Sequence, residues 1–313
     1  MNRLICLLTI LNITGGSQGM ELRVINYFIA LVREGTITKA AQSLHLSQPT
    51  LSKQLQDLED ELGTTLFKRG KREIQLTEDG RYFFERAKEI QQLVSSTKRN
   101  LATNQEISGE LTIGCGETEA FQLISEVVDT LQKQYSDILI HVYSGNAEDL
   151  LSKIDRGLID FGLVIDPVDK QKYDFLQLPH QDRWGLLMRQ DHAFANQSAI
   201  SAKDLMQVFL LVSRQNQVKQ QFSDWTGQAI FPQQIVGTYN LLYNASLLVQ
   251  QGVGCALCID GIINTKGTSL TFVPLSPPLT ANVSLIWKKY QSFSPVAQEF
   301  LTCIKEKLSS ISE

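Results

Sequence analysis

The chain has little that would mark a secreted, membrane or metal-dependent protein. Five cysteines in 313 residues, an odd number scattered as Cys6, Cys115, Cys255, Cys258 and Cys303, do not make a disulfide framework. A reducing cytoplasm is the expected compartment. Four histidines, His45, His141, His180 and His192, lie far apart with no metal spacing and no nucleophile beside them. No metal site, catalytic set or enzymatic activity follows from them. Long apolar runs are also missing: LICLLTIL behind Arg3 is too short for the roughly 20 residues that cross a bilayer. Residues 1–19 have the charged and apolar parts of a leader, yet the amphipathic pattern begins at Met20. The native protein is therefore expected to start there and to have no membrane partner.

Charge of one sign is scarce too, since the formal net charge is only -4. Divided along the chain, residues 20–103 carry 13 Lys/Arg against 11 Asp/Glu, net +2, and residues 104–313 carry 15 against 22, net -7. Any nucleic-acid surface must be a local patch, and Lys68, Arg69, Lys71 and Arg72 form the obvious one.

What is present is helical periodicity, then alternation. Leu22, Ile25, Phe28, Ile29 and Val32 share one helix face, which Gly35 ends. Thr36 can cap a second helix with Ala40, Ala41 and Leu44 inward. Ser47 caps a third, with Pro49 tolerated in its first turn and Leu51, Leu55, Leu58 and Leu62 along it. TLFKR and EIQLT read as a hairpin wing around Gly70, and Thr77 caps a long helix. Along that helix Phe83, Ala87, Ile90, Val94, Thr97 and Leu101 follow the alternating spacing of a coiled coil. With no other helix of the small N-terminal unit left to cover this stripe, Phe83, Ala87, Ile90, Val94 and Leu101 are expected to pair subunits.

Three helices and a wing place the N-terminal turn of the third helix where a major groove is read. Gln48, Pro49, Thr50, Ser52, Lys53 and Gln54 are the candidate base readers: Gln suits adenine, Lys guanine or phosphate, and Ser or Thr either edge or backbone. Thr36, Thr38 and Lys39 are placed for phosphates, and Arg69 for phosphate or the minor groove.

From about Gly109 onward strands and helices alternate, ELTIGCG, FQLISEVVDTLQKQY, ILIHVYSG, AEDLLSKIDRG and IDFGLVID. A second α/β stretch follows, through GLLMR, FLLVSR and VGCALCI. This punctuation implies parallel sheets with helices on their faces. The expected division is residues 1–19 leader, 20–78 winged helix-turn-helix, 79–108 linker helix and hinge, and 109–313 a two-lobed α/β domain.

The segment FIALVREGTITKAAQSLHLSQPTLSKQLQDLEDELGTTLFKRGKREIQLTEDG resembles the N-terminal domain of the LysR-type transcriptional regulators, across residues 21–80 almost without gaps. RGLIDFGLVI and LVQQGVGCALCID extend the resemblance into the α/β part. The resemblance implies an all-α winged helix-turn-helix and linker helix, then an α/β effector domain like the type 2 periplasmic binding proteins. It also implies duplex DNA as partner, a homodimer or homotetramer, contact with RNA polymerase, and no cofactor beyond a small-molecule co-inducer. Carried onto this chain, the effector contacts are Thr118, Ser144, Asn146, Ser213 and Thr238; Cys115 in the same strand-end loop and Arg214, whose guanidinium suits an anionic effector, complete the expected set of seven. Where the family commonly has a small polar residue just after the first strand, this chain has Cys115, followed by Gly116 and Glu117, and Glu117 opposes a carboxylate effector. Three other patterns are set aside. Gly114-Cys115-Gly116 puts Glu119 where a dinucleotide motif needs its third glycine. Cys255 and Cys258 form a CxxC with no second pair, and strand alternation sends them to opposite faces. An extracytoplasmic solute-binding protein would leave residues 20–80 unexplained.

Overall fold

A computed structural model describes residues 20–70, 73–101, 107–227 and 232–312. The chain divides into two compact units, Met1–Ser95 and Ser96–Glu313. The expected leader at residues 1–19, the basic residues Lys71 and Arg72, and the middle of the expected hinge lie outside the described residues.

The first unit opens with α1 (Leu22–Glu34), α2 (Ile37–Ser43) and α3 (Gln48–Leu62). Phe28, Leu31, Ile37, Ala40, Ala41, Leu51, Leu55 and Leu58 close one apolar core. The small side chains of α2 let its neighbours approach, and its cap is the one expected: Thr36 Oγ1 accepts from the Lys39 N–H at 3.2 Å. Two ends of the expected stripes fall outside this core. Leu22 is 47% exposed and Leu62 38%, because each sits in a terminal turn beyond its neighbours, and Leu31 takes the inward place on α1.

The wing is an antiparallel hairpin of β1 (Phe67–Arg69) and β2 (Ile74–Leu76), with Lys68 opposite Gln75. It is bound to α3 by Glu59, whose Oε1 accepts from the Leu66 and Phe67 N–H groups at 2.6 and 3.2 Å. Helix α4 (Glu78–Leu101) follows, capped by Thr77, which accepts from the Gly80 N–H at 2.9 Å. Gly80 is required there, since a Cβ would sit 1.8 Å from the Leu66 carbonyl oxygen.

The stripe on α4 corrects one expectation. Phe83 stacks edge-on against Phe28, ring centroids 5.2 Å apart, and Ala87 is fully buried. Farther along, Gln91 Nε2 donates to Asn26 Oδ1 at 2.7 Å. Helix α1 thus covers the first part of the stripe within the same chain, so Phe83 and Ala87 serve the protomer's own core. Ile90 and Val94 are half-buried, and Leu101 is 78% exposed.

The second unit runs β3 (Gly109–Cys115), α5 (Phe121–Gln134), β4 (Ile138–Ser144), α6 (Ala147–Asp155), β5 (Phe161–Ile165), β6 (Tyr173–Arg189) and β7 (Ile200–Ser201). It continues with α7 (Ala202–Leu205), β8 (Leu210–Ser213), α8 (Asn216–Thr226), β9 (Ile235–Tyr239), α9 (Leu242–Gln250), β10 (Cys255–Ile259), β11 (Leu270–Ser276), β12 (Thr280–Lys288) and α10 (Pro295–Ser312). Strand order is β4-β3-β5-β12-β6-β10-β8-β9, with β11 on the other side of β6. The parallel pairs are β3 with β4 and β5, β8 with β9 and β10, and β7 with β11. Strands β6 and β12 run antiparallel to their neighbours, so neither lobe is purely parallel as the alternation implied.

Strand β6 joins the lobes. Its first half pairs with β12 in one lobe, and Trp184–Leu187 pair with β10 in the other. Pro179 falls in the gap between its two runs of β12 pairing, where no ladder N–H is needed. Separate cores lie under the two lobes, one built on Phe161, Trp287 and Phe300, the other on Trp184, Leu186 and Phe222.

Candidate nucleic-acid interface and ligand cleft

Ser47 caps α3, accepting from the Thr50 N–H at 3.3 Å while its hydroxyl meets that of Thr50 at 2.7 Å. With Leu51, Leu55 and Leu58 inward, the opposite face of the first turns is presented outward. Gln48, Pro49, Thr50 and Lys53 are exposed, Ser52 and Gln54 half-buried. Arg69 Nη2 on the wing donates to Ser52 Oγ at 2.8 Å, which brings two of the expected residues together and fixes a guanidinium beside α3. Thr38 and Lys39 are exposed on α2; Thr36 is half-buried with its oxygen committed to the cap. Glu59, which sets the wing against α3, had no signal in the sequence beyond being one acid among several.

In the second unit a cleft with a cavity volume of about 70 Å³ opens between the lobes. Its apolar wall includes Leu150, Leu163, Ile165, Trp184 and Ile262; Asn146, Ser213, Gln215, Tyr239 and Asn240 add polar groups, and Glu117 a carboxylate. This combination of apolar surface and a few convergent polar groups is the usual form of a small-molecule site.

Of the seven residues expected to contact an effector, Asn146 and Ser213 line this cleft. Both also serve the backbone: Asn146 Oδ1 caps α6 through the Asp149 N–H at 3.0 Å, and Ser213 Oγ accepts from the Gln215 N–H at 3.3 Å. The other five lie outside the lining. Cys115 is buried in the first lobe's core, where burial raises its thiol pKa and a hydrogen bond with Ser144 partly offsets that. Ser144 itself is exposed at the end of β4. Thr238 is exposed because adjacent strand residues face opposite ways, and its neighbour Tyr239 takes the inward position. Arg214 is exposed as well. Thr118 Oγ1 donates to Asp182 Oδ1 at 3.0 Å and accepts from the Ala120 N–H at 3.1 Å, so it ties its loop to β6.

Asp182 is a residue that sequence reasoning missed. It is 2% exposed on the strand joining the lobes, and its Oδ1 also meets His180 Nε2 at 2.9 Å. Burial raises its pKa, against the hydrogen bonds from Thr118 and His180, which lower it. The one available signal was the spacing His180-x-Asp182, which puts both on one strand face.

The CxxC behaves as alternation requires. Cys255 packs into the core with Trp184 and Cys258 into the opposite one with Leu242. Burial pushes the Cys255 thiol up to about 11 and that of Cys258 higher still. Among the described residues no group of three or more His, Cys, Asp or Glu could hold a metal ion, and no helix is long and apolar enough to cross a membrane.

A DNA-reading unit followed by a two-lobed ligand-binding unit defines an effector-responsive class of regulator. The family model for the bacterial regulatory helix-turn-helix protein, lysR family, matches residues 22–81, and that for the LysR substrate binding domain matches residues 104–309. The chain belongs to the LysR family of DNA-binding transcriptional regulators, with that family's effector-binding domain. It is 29% identical over 297 residues to the Hca operon transcriptional activator HcaR of Escherichia coli (strain K12), covering 93% of this chain and 99% of that one. The DNA-binding transcriptional dual regulator OxyR of the same organism is 31% identical over 188 residues, 59% of this chain and 61% of OxyR. Among solved structures, full-length CbnR complexed with its target DNA superposes with a TM-score of 0.71 at 19% identity, over 92% of this chain and 100% of that chain. That likeness speaks for the fold.

Proposed function

We propose that this regulator reads an interrupted near-palindrome as a cytoplasmic dimer or tetramer and that a small molecule in the interlobe cleft sets how it does so. The observation that carries the DNA half is the exposed N-terminal turn of α3, Gln48, Pro49, Thr50 and Lys53, beside a wing arginine held by Ser52. Gln48 and Lys53 read base edges, while Thr38, Lys39 and Arg69 hold the backbone. Two copies, paired through the distal part of α4, supply the affinity that a unit of net charge near zero lacks. Contact with RNA polymerase belongs to the same reading. No catalytic step belongs to it.

Effector binding acts by preferring one arrangement of the lobes over another, which alters the spacing of the paired DNA-binding units. Mobility-shift and footprinting titrations with the DNA upstream of the chain's own gene test the proposal. Two protected half-sites on one face of the duplex are expected; binding without sequence preference over salt would sink it. For the cleft, Ile262→Trp fills the pocket wall. It should abolish any change of footprint produced by cell extract small molecules, and an undiminished response would move the effector site elsewhere.

A further inference from the structure

Helix α9 begins with an unusual arrangement. Leu241 stands at its N-cap and offers no side-chain acceptor to the first-turn N–H groups. The acceptor comes from the other lobe: Glu117, on the loop between β3 and α5, takes the Leu242 N–H through Oε2, a contact between residues 125 apart in sequence. A helix N-terminus, with orphan donors and a partial positive charge, is where a bound anion is stabilised. Here the chain fills that position itself, from across the cleft.

Three further observations bear on what the cleft admits. Glu117 is the one formally charged side chain among the described residues that line it. The same loop makes a second contact with the far lobe, since the Glu119 carboxyl lies so close to Gly261 that a Cβ there would be 2.2 Å from Glu119 Cδ. Trp184 lines the cleft at 5% exposure, and its indole N–H has no hydrogen-bond partner among the described residues. A buried donor of this kind calls for an acceptor, which a ligand or a water can supply.

We propose that Glu117 is a built-in anion of the cleft, which occupies the start of α9, holds the two lobes together and thereby excludes anionic effectors in favour of uncharged, largely apolar molecules bearing an acceptor for Trp184. The inference rests on the cleft being the effector site. An incoming carboxylate must either displace a tethered one, whose effective concentration is high, or lie beside it in a poorly screened space with no cation among the described residues that line it.

Chemical rescue tests this without knowing the effector. Full-length wild type, Glu117→Ala and Glu117→Gln are melted by tryptophan fluorescence while sodium acetate or sodium benzoate replaces chloride at constant ionic strength. Glu117→Ala should melt about 2–4 °C below wild type and recover most of that loss, saturably, with acetate. Wild type and Glu117→Gln, whose amide fills the space, should not respond. Hydrogen exchange at the Leu242 amide gives a second readout: fast in Glu117→Ala, slowed by acetate, slow throughout in wild type. A wild-type response to either anion as large as that of Glu117→Ala overturns the proposal, and so does Glu117→Ala that ignores acetate in both readouts. If the effector binds elsewhere, Ile262→Trp keeps its footprint response while acetate rescue still holds, so the two failures are distinct.

Discussion

Asp160 offers a quantitative test of the electrostatics behind the first strand of the effector unit. Its Oδ2 accepts from the Thr112 N–H at 2.8 Å, next to Glu110 on β3. Burial, with a smaller contribution from the Glu110 charge, pushes its pKa up from 3.8 to about 6, and the Thr112 hydrogen bond works the other way. Glu110 is itself paired with Arg99, Nε to Oε1 at 2.5 Å, and has His141 Nε2 3.6 Å away. A carboxyl whose pKa is raised by folding binds its proton more tightly in the native state. Stability therefore falls as pH rises from about 4 to about 6, and the full penalty stands above that window. The shift corresponds to about 3 kcal/mol at neutral pH, and because the residue is only half-buried, solvent screening reduces the expected figure to about 1–2 kcal/mol. Asp160→Asn keeps an acceptor for Thr112 and removes the charge. All three tryptophans, Trp184, Trp225 and Trp287, lie in this unit, so fluorescence melting follows it selectively. The variant should melt about 2–8 °C above wild type at pH 7.5 and no higher than wild type at pH 4. A gain independent of pH, or a loss at pH 7.5, would refute the reasoning.

Four other outcomes are expected. Lys53→Ala and Gln48→Ala should each weaken specific DNA binding by about 1–3 kcal/mol in quantitative mobility shifts, and an unchanged preference for the operator in both would mean the wrong helix was chosen. Gly80→Ala, which drives a Cβ to within 1.8 Å of the Leu66 carbonyl oxygen, should cost the DNA-binding unit at least about 1–3 kcal/mol by chemical denaturation; wild-type stability would show that the wing gives way freely. Cys258, buried with a raised pKa and facing away from Cys255, should resist Ellman's reagent in the native protein, and a peroxide-induced Cys255–Cys258 disulfide would contradict its placement. Val94→Lys with Leu101→Lys should reduce the mass measured by light scattering at micromolar concentration, with helicity retained; an unaltered assembly would place the subunit contact off α4.

The helix-turn-helix was legible because everything that makes it is local. Caps at Thr36, Ser47 and Thr77, glycine stops at Gly35 and Gly63, and leucines at helical spacing lie within a few residues of what they act on. The two-lobed unit was legible only in outline. Its alternation of strands and helices gives the layers, but the 17-residue strand β6 does not read as one element, because Pro179 interrupts its run along β12 and from Trp184 onward it pairs with β10 instead. The effector residues suffered from the same cause. Ser213 and Thr238 sit at strand ends, and whether such a residue looks into a cleft depends on a parity that shifts with a single position, as Thr238 and Tyr239 demonstrate.

The long helix shows why a correct pattern can still mislead about its partner. Heptad spacing says that Phe83, Ala87, Ile90, Val94 and Leu101 share a face; it says nothing of what lies against that face. Helix α1 has its own apolar side and lies in the same small unit as the start of α4, so Phe28 meets Phe83 within one chain. The stripe is then divided by distance from α1. Its beginning, fixed by Phe28 and by the Asn26–Gln91 hydrogen bond, completes the small unit's core. Its end, where Leu101 is 78% exposed, is the part still open to a second copy. Under the proposed pairing, the first turns of the helix complete the unit's own core and the distal turns are the ones left for a second copy.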